Sequence, residues 1–231
     1  MRPITLSRRQ QLLDYLEPLD LHGYSLQKVL NREGLSKWLY GAPDDWVPLH
    51  CAARVMNLAA QVTGDDHYGF RVAELGSVDN IHTIGKAVTN SVSVYHSLRL
   101  VCSLIRYHSS NVDFWLADGT EDEDKIWFCR SEPPGAEVAS RHLEQYVLLK
   151  MLQVARLGLG PTWTPVEIQL QTKNAKHIEK WETFGRVTIQ REQPWTAIAI
   201  PRSALGLPVR NSGGMSIHQV PEPFAGDKLP Q

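Results

Sequence analysis

Cysteine is scarce in this chain of 231 residues: Cys51, Cys102 and Cys129 are the whole set. Their odd number, wide spacing and apolar surroundings argue against a disulfide framework. No Cys-x-x-Cys pair or His/Cys cluster offers a zinc site. They read as three buried, reduced thiols of a cytoplasmic protein. Long apolar runs are also lacking. No stretch approaches the length of a membrane-spanning helix, and the opening residues, Met1 to Gln10, lack the apolar run of a secretory leader. No membrane partner is expected. Charge of one sign is not in excess either: 24 Lys and Arg stand against 25 Asp and Glu, a formal net charge of -1. A DNA-reading domain usually carries a basic face, so these residues are not expected to touch nucleic acid directly. Catalytic motifs are missing as well. There is no Gly-x-Ser-x-Gly elbow, no phosphate loop and no His-Glu-x-x-His. Gly158-Leu159-Gly160 ends a helical pattern rather than opening one, so it is no dinucleotide fingerprint. Neither an enzyme nor a cofactor is expected, although distant residues assembling a catalytic group remain an alternative.

What is present is a change of period along the chain. The first hundred residues read as helical. Ser7 and Gln10 suggest a capping-box start, with Leu12, Leu13 and Leu16 following at helical spacing and Pro18 ending or bending the element. Ser25 opens a short helix that Gly34 closes. Asp45 can cap a third, with Pro48 in its first turn and Ala52, Ala53, Met56, Ala59 and Ala60 on a small-residue face, and Gly64 stops it. The longest helical pattern runs over 81–107. The period then shortens: Val112 to Ala117 and Lys125 to Arg130 read as a hairpin across an acidic loop. Pro133-Pro134-Gly135 breaks the chain before a helix over about 137–157. The alternating stretch Val166 to Gln171 and the pairs Val187/Ile189 and Ile198/Ile200 supply three more strands. The expected fold is α+β, a helical N-terminal half packed with a mainly antiparallel sheet of about five strands. The stretch from Asn211 to Gln231, with Gly213-Gly214 and several prolines, reads as a flexible tail or linker.

Several candidate site residues follow from this layout. His82, His96 and His108 lie along one helical pattern. His82 and His96 are 14 residues apart, about 21 Å along a helix axis, so they cannot share a metal, and no metal site is expected. His96, Arg99 and Ser103 form part of a polar stripe on the 81–107 helix. Turned towards a cavity under the sheet, the stripe would bind a small molecule, with Arg99 pairing a carboxylate. Turned outward, it is a solvated face. Trp115 and Trp127 on the hairpin strands are candidate pocket walls or core fillers. Ile126 and Phe128 face one way, Trp127 and Cys129 the other, so both sides of that strand are expected to be covered or to border a pocket or subunit interface.

One set of motifs goes further. Gly64-Asp65-Asp66-His67-Tyr68-Gly69-Phe70 is followed by Ile84-Gly85-Lys86-Ala87, then Arg106-Tyr107-His108. Pro165-Val166-Glu167-Ile168, Phe184-Gly185 and Leu205-Gly206-Leu207-Pro208 close the series. In this order the chain resembles the N-terminal arabinose-binding-like domain of AraC/XylS-type transcription regulators, in the subgroup of ornithine-responsive and quorum-sensing regulators. The resemblance covers roughly residues 10–210. It implies a bacterial sensor domain that binds a small effector, forms a homodimer, and controls DNA only through a C-terminal helix-turn-helix domain that this chain lacks. It departs from the family pattern at Tyr68, where the family has Phe, and at Phe70, where it has Leu. Residues 1–210 are then the sensing and dimerisation domain, and 211–231 the tail or linker. The alternative is a stand-alone dimerisation module that works without ligand.

Overall fold

The computed structural model of the protein describes residues 4–21, 23–31, 34–119, 124–131, 141–173 and 176–209. The expected linker over 211–231 and the Pro133-Pro134-Gly135 break lie outside them, as does most of the acidic loop. The chain opens with β1 (Leu6–Arg8), α1 (Arg9–Leu21), α2 (Leu26–Asn31), β2 (Trp46–Pro48), α3 (Leu49–Thr63), α4 (Tyr68–Leu75), α5 (His82–Thr89) and α6 (Val94–Leu104). It continues with β3 (Asp113–Asp118), β4 (Lys125–Ser131), α7 (Arg141–Leu159), β5 (Glu167–Gln169), the single-turn α8 (Lys176–Glu179), β6 (Thr188–Gln190) and β7 (Thr196–Pro201). The fold is α+β. Its main sheet has five strands in the order β3-β4-β7-β5-β6, antiparallel except for the β5–β6 pair. β1 and β2 form a separate antiparallel ribbon.

Local chemistry redraws three expected boundaries. Ser7 does not cap α1. It sits in β1 opposite Val47 and bridges to Ser109, so the ribbon claims it before the helix starts. Asp45 caps no helix. Its carboxylate accepts the Ala42 N–H at 2.7 Å, closing a turn, and Trp46 to Pro48 extend into β2 before α3 begins. The 81–107 pattern is not one helix. It breaks at Asn90-Ser91-Val92-Ser93, where polar side chains compete for the helical backbone. The Asn90 amide donates to the Lys86 carbonyl at 2.9 Å, and the Ser93 hydroxyl caps α6 by accepting the His96 N–H at 3.3 Å. Pro18 does not end α1, which runs on to Leu21.

The longest helix is α7, and it is buried on almost every side. It packs against α3, α4, α5 and α6 and touches β7 on the sheet. A helix buried all round has no solvent face for its polar residues, so each needs a partner inside. Gln145 donates to the Asp66 carbonyl at 2.9 Å and accepts the Gly69 N–H at 3.3 Å. Glu144 accepts the Gln171 N–H at 2.7 Å and the Thr196 hydroxyl at 2.9 Å. Lys150 donates to the carbonyls of Ala73, at 3.0 Å, and Gly76, at the end of α4.

These bonds explain the Gly64 to Phe70 motif. Gly64 takes a left-handed φ of 68° to end α3. Asp65 accepts the His67 N–H at 2.8 Å and starts the next turn. The Tyr68 hydroxyl donates to the Tyr15 carbonyl at 2.8 Å. Phe70 stacks on Trp181 at 4.9 Å and packs on Phe184 at 5.5 Å between ring centres. The motif ties α1, α4 and α7 to the chain beyond β5, so its role is architectural.

Candidate functional site

A cavity lies between the helices and the inner face of the sheet. Its volume is about 70 Å³. Roughly 10–15 Å³ holds one water, so the space admits several waters or one small organic molecule. The apolar wall comes from α5 and α6 (Ile84, Val88, Val101), from α7 (Val147, Met151, Val154), and from the sheet. Along β4 the side chains alternate, so Phe128 and Arg130 share the inward face with Ile126. Phe114 of β3 lies beside Phe128, ring centres 5.4 Å apart. Six lining residues can hydrogen-bond from their side chains in an otherwise oily space: Gln11, His108, Ser109, Arg130, Tyr146 and Lys150.

The two cationic residues of the lining have carboxylates near them, outside the lining itself. Lys150 faces Asp14 of α1, and Arg130 acts on Glu144 of α7. Burial pushes the Lys150 ammonium down to about 8, against the opposing pull of Asp14. Burial likewise raises the Glu144 carboxyl, while hydrogen bonds from Thr196, Gln171 and Thr172 and the charge of Arg130 pull it back. Asp14 is also raised by burial. Ile81, Tyr146 and Lys150 line both this cavity and a smaller cleft bordered by Asp14, Glu17 and Ser77. These three side chains therefore form the partition between cavity and cleft.

The residues singled out in the sequence lie elsewhere. Arg99 and Ser103 are exposed on α6, the Ser103 hydroxyl turned back onto the Arg99 carbonyl at 2.7 Å. His96 is half-buried on the same helix, its Nδ1 buried without a hydrogen-bond partner. Trp115 and Trp127 project from the outer face of the sheet, where they pack with Cys129, Ala197, Ala199 and Trp195. Trp115 meets Trp195 edge-on at 5.6 Å. None of the five lines the cavity. A cavity does lie beneath the sheet, but side chains other than these five line it. Two of them left a trace in the sequence. Lys150 interrupts the apolar run from Tyr146 to Leu152, and Arg130 continues the inward alternation of Ile126 and Phe128. Gln11 left none, because a glutamine near a helix start is ordinary. Among the described residues, no three His, Cys, Asp or Glu side chains are grouped to hold a metal ion. No helix among them is long and apolar enough to cross a membrane.

The sequence profile of the arabinose-binding domain of AraC transcription regulators, N-terminal, matches residues 23–209. The chain belongs to this family. The matched span runs from the loop after α1 to the close of the β-rich half, so the arabinose-binding domain takes in the main sheet and most of the cavity wall. A comparison with curated proteins gives no match. Among solved structures, transcriptional regulator CdpR from Pseudomonas aeruginosa shares the fold, with a TM-score of 0.56 and 14% identity. The superposition covers 88% of this chain and 57% of CdpR, so this arabinose-binding domain spans little more than half of that regulator.

Proposed function

We propose that this domain is the effector-sensing half of a transcription regulator and that a small molecule occupies the cavity between α7 and the sheet. The observation that carries the reading is the position of the cavity. All its lining residues but Gln11 lie within the family-matched span, and it sits against the central helix and the sheet face, where a bound molecule touches both layers at once. A ligand there acts by preferring one arrangement of helices and sheet over another; equal affinity for both shifts nothing. The role is regulatory rather than catalytic, exercised inside a bacterial cell by a homodimer. Residues 1–210 form the sensing and dimerisation unit, and 211–231 lead towards a helix-turn-helix domain through which DNA is contacted.

A second reading, a dimerisation module that needs no ligand, draws on the outer tryptophan face of the sheet. Native mass spectrometry beside a denaturing run separates the two. A dimer carrying a small adduct that denaturation releases is the expected result. A dimer that never acquires an adduct, even after incubation with a metabolite library, favours the second reading. A persistent monomer overturns the dimerisation arm of both.

A further inference from the structure

Resting on that reading of the cavity, we infer that the effector is a small, neutral, largely apolar molecule ending in one hydroxyl group, seated on Gln11. Two independent observations converge on this class. The first is the wall. Apart from six residues with side-chain donors or acceptors, it is built of aliphatic and phenylalanine side chains. A sugar presents hydroxyls around its whole ring, and each one buried against Ile84, Val101 or Met151 would lose its water without gaining a partner. The family's descriptive name therefore does not describe what this wall can hold.

The second observation is an unanswered acceptor. Gln11 lines the cavity and is 6% exposed, and its Oε1 is buried with no hydrogen-bond partner. Buried acceptors in native proteins are normally paired, so this oxygen calls for a donor from the occupant. A hydrocarbon has none to offer. A carboxylate brings only acceptors, so it leaves Gln11 Oε1 unanswered. A hydroxyl donates to Gln11 Oε1 and leaves its lone pairs for a neighbouring donor. The rings of Phe114, Phe128 and Tyr146 suit a flat apolar body behind it.

The test titrates the intact chain with four probes of similar size: 4-ethylphenol, ethylbenzene, 4-ethylbenzoate and L-arabinose. Binding is read from methyl NMR shifts of Ile84, Val101 and Val154, which place the probe. The expected order is 4-ethylphenol first, with ethylbenzene about tenfold weaker for lack of the one hydrogen bond. The other two leave the methyl signals unmoved. In Gln11→Met the preference for phenol over hydrocarbon disappears, while ethylbenzene affinity holds. The four-probe ranking on the unaltered chain stands by itself if that variant fails to fold. Preferential binding of arabinose or of ethylbenzoate at these methyls overturns the inference but leaves the cavity as an effector site. An equal response to phenol and hydrocarbon also overturns it. Silence towards all four overturns both the inference and the effector reading of the cavity.

Discussion

Gly69 of α4 and His142 of α7 meet with no room between them: a Cβ on Gly69 would collide with the His142 carbonyl and stand 2.9 Å from Gln145 Cβ. The glycine is required by proximity, since its backbone adopts no unusual φ. Gly69→Ala must push α4 off α7 and weaken the Gly69 N–H bond to Gln145. Overpacking of this kind costs about 1–3 kcal/mol. Urea denaturation should show that loss with an unchanged slope. Unaltered stability would mean that the two helices do not pack as tightly as described.

Filling the cavity separates binding from folding. Val147 projects into it from α7 and is buried. Val147→Phe takes up space that an effector would use. It should lower the affinity of any cavity ligand at least ~10-fold, at an overpacking cost of about 1–3 kcal/mol. Calorimetric titration and a circular dichroism melt measure the two effects. Undiminished affinity in a folded variant would move the binding site away from α7.

Arg99 provides the complementary control. Its side chain is exposed on α6 and belongs to the polar stripe singled out in the sequence. If the effector sits in the cavity, Arg99→Ala leaves affinity unchanged and shifts stability by no more than ~0.5 kcal/mol, as is usual for an exposed site. Loss of effector response in a normally folded R99A would instead place the ligand on the outer face of α6.

His142 predicts a pH dependence. Burial and the neighbouring Arg141 push its imidazolium down to about 4, although Gln145, Asp65 and Asp66 oppose the shift. The unfolded chain takes up a proton near the ordinary value of about 6.5, while the folded domain does not until about 4. The stability contributed by neutral His142 is therefore complete above about pH 6.5 and is lost as pH falls towards 4. Denaturation midpoints across that window should fall on acidification, and the slope should flatten in His142→Gln. Imidazole NMR showing titration near 6.5 in the folded domain would contradict the prediction.

Much of the architecture was legible in the sequence because periodicity records burial. The hairpin of β3 and β4 shows on the page as two short apolar runs either side of an acidic loop, and β5 as an alternation of apolar and polar positions. The break between α5 and α6 was harder to see. The apolar spacing runs straight through it, and only the cluster Asn90, Ser91 and Ser93 signals that side chains outcompete the helical backbone. The site was less legible still. Whether a polar stripe looks inward depends on which side of the helix meets the sheet, and α6 turns Leu98 and Val101 inward and Arg99 outward. Gln11 and Arg130 lie more than a hundred residues apart along the chain, yet line one cavity. No local pattern records such a meeting.

The strand order carries a consequence for how the protein is made. Among the described strands β7 is the last in the chain, yet it lies between β4 and β5 and pairs with both. Until the ribosome has released Thr196 to Pro201, β4 has only β3 as a neighbour and β5 only β6, each pair exposing an open edge. The entry to α6 waits longer still, because Val94 and Tyr95 donate their N–H groups to the carbonyls of Leu207, at 3.0 Å, and Leu205, at 2.9 Å. The helical half can condense during translation, but the sheet and the cavity beneath it close only at the end, through contacts distant in sequence that form slowly. A nascent chain stalled before Thr196 presents those edges to its neighbours on the polysome, and that interval is when this domain is most exposed to aggregation.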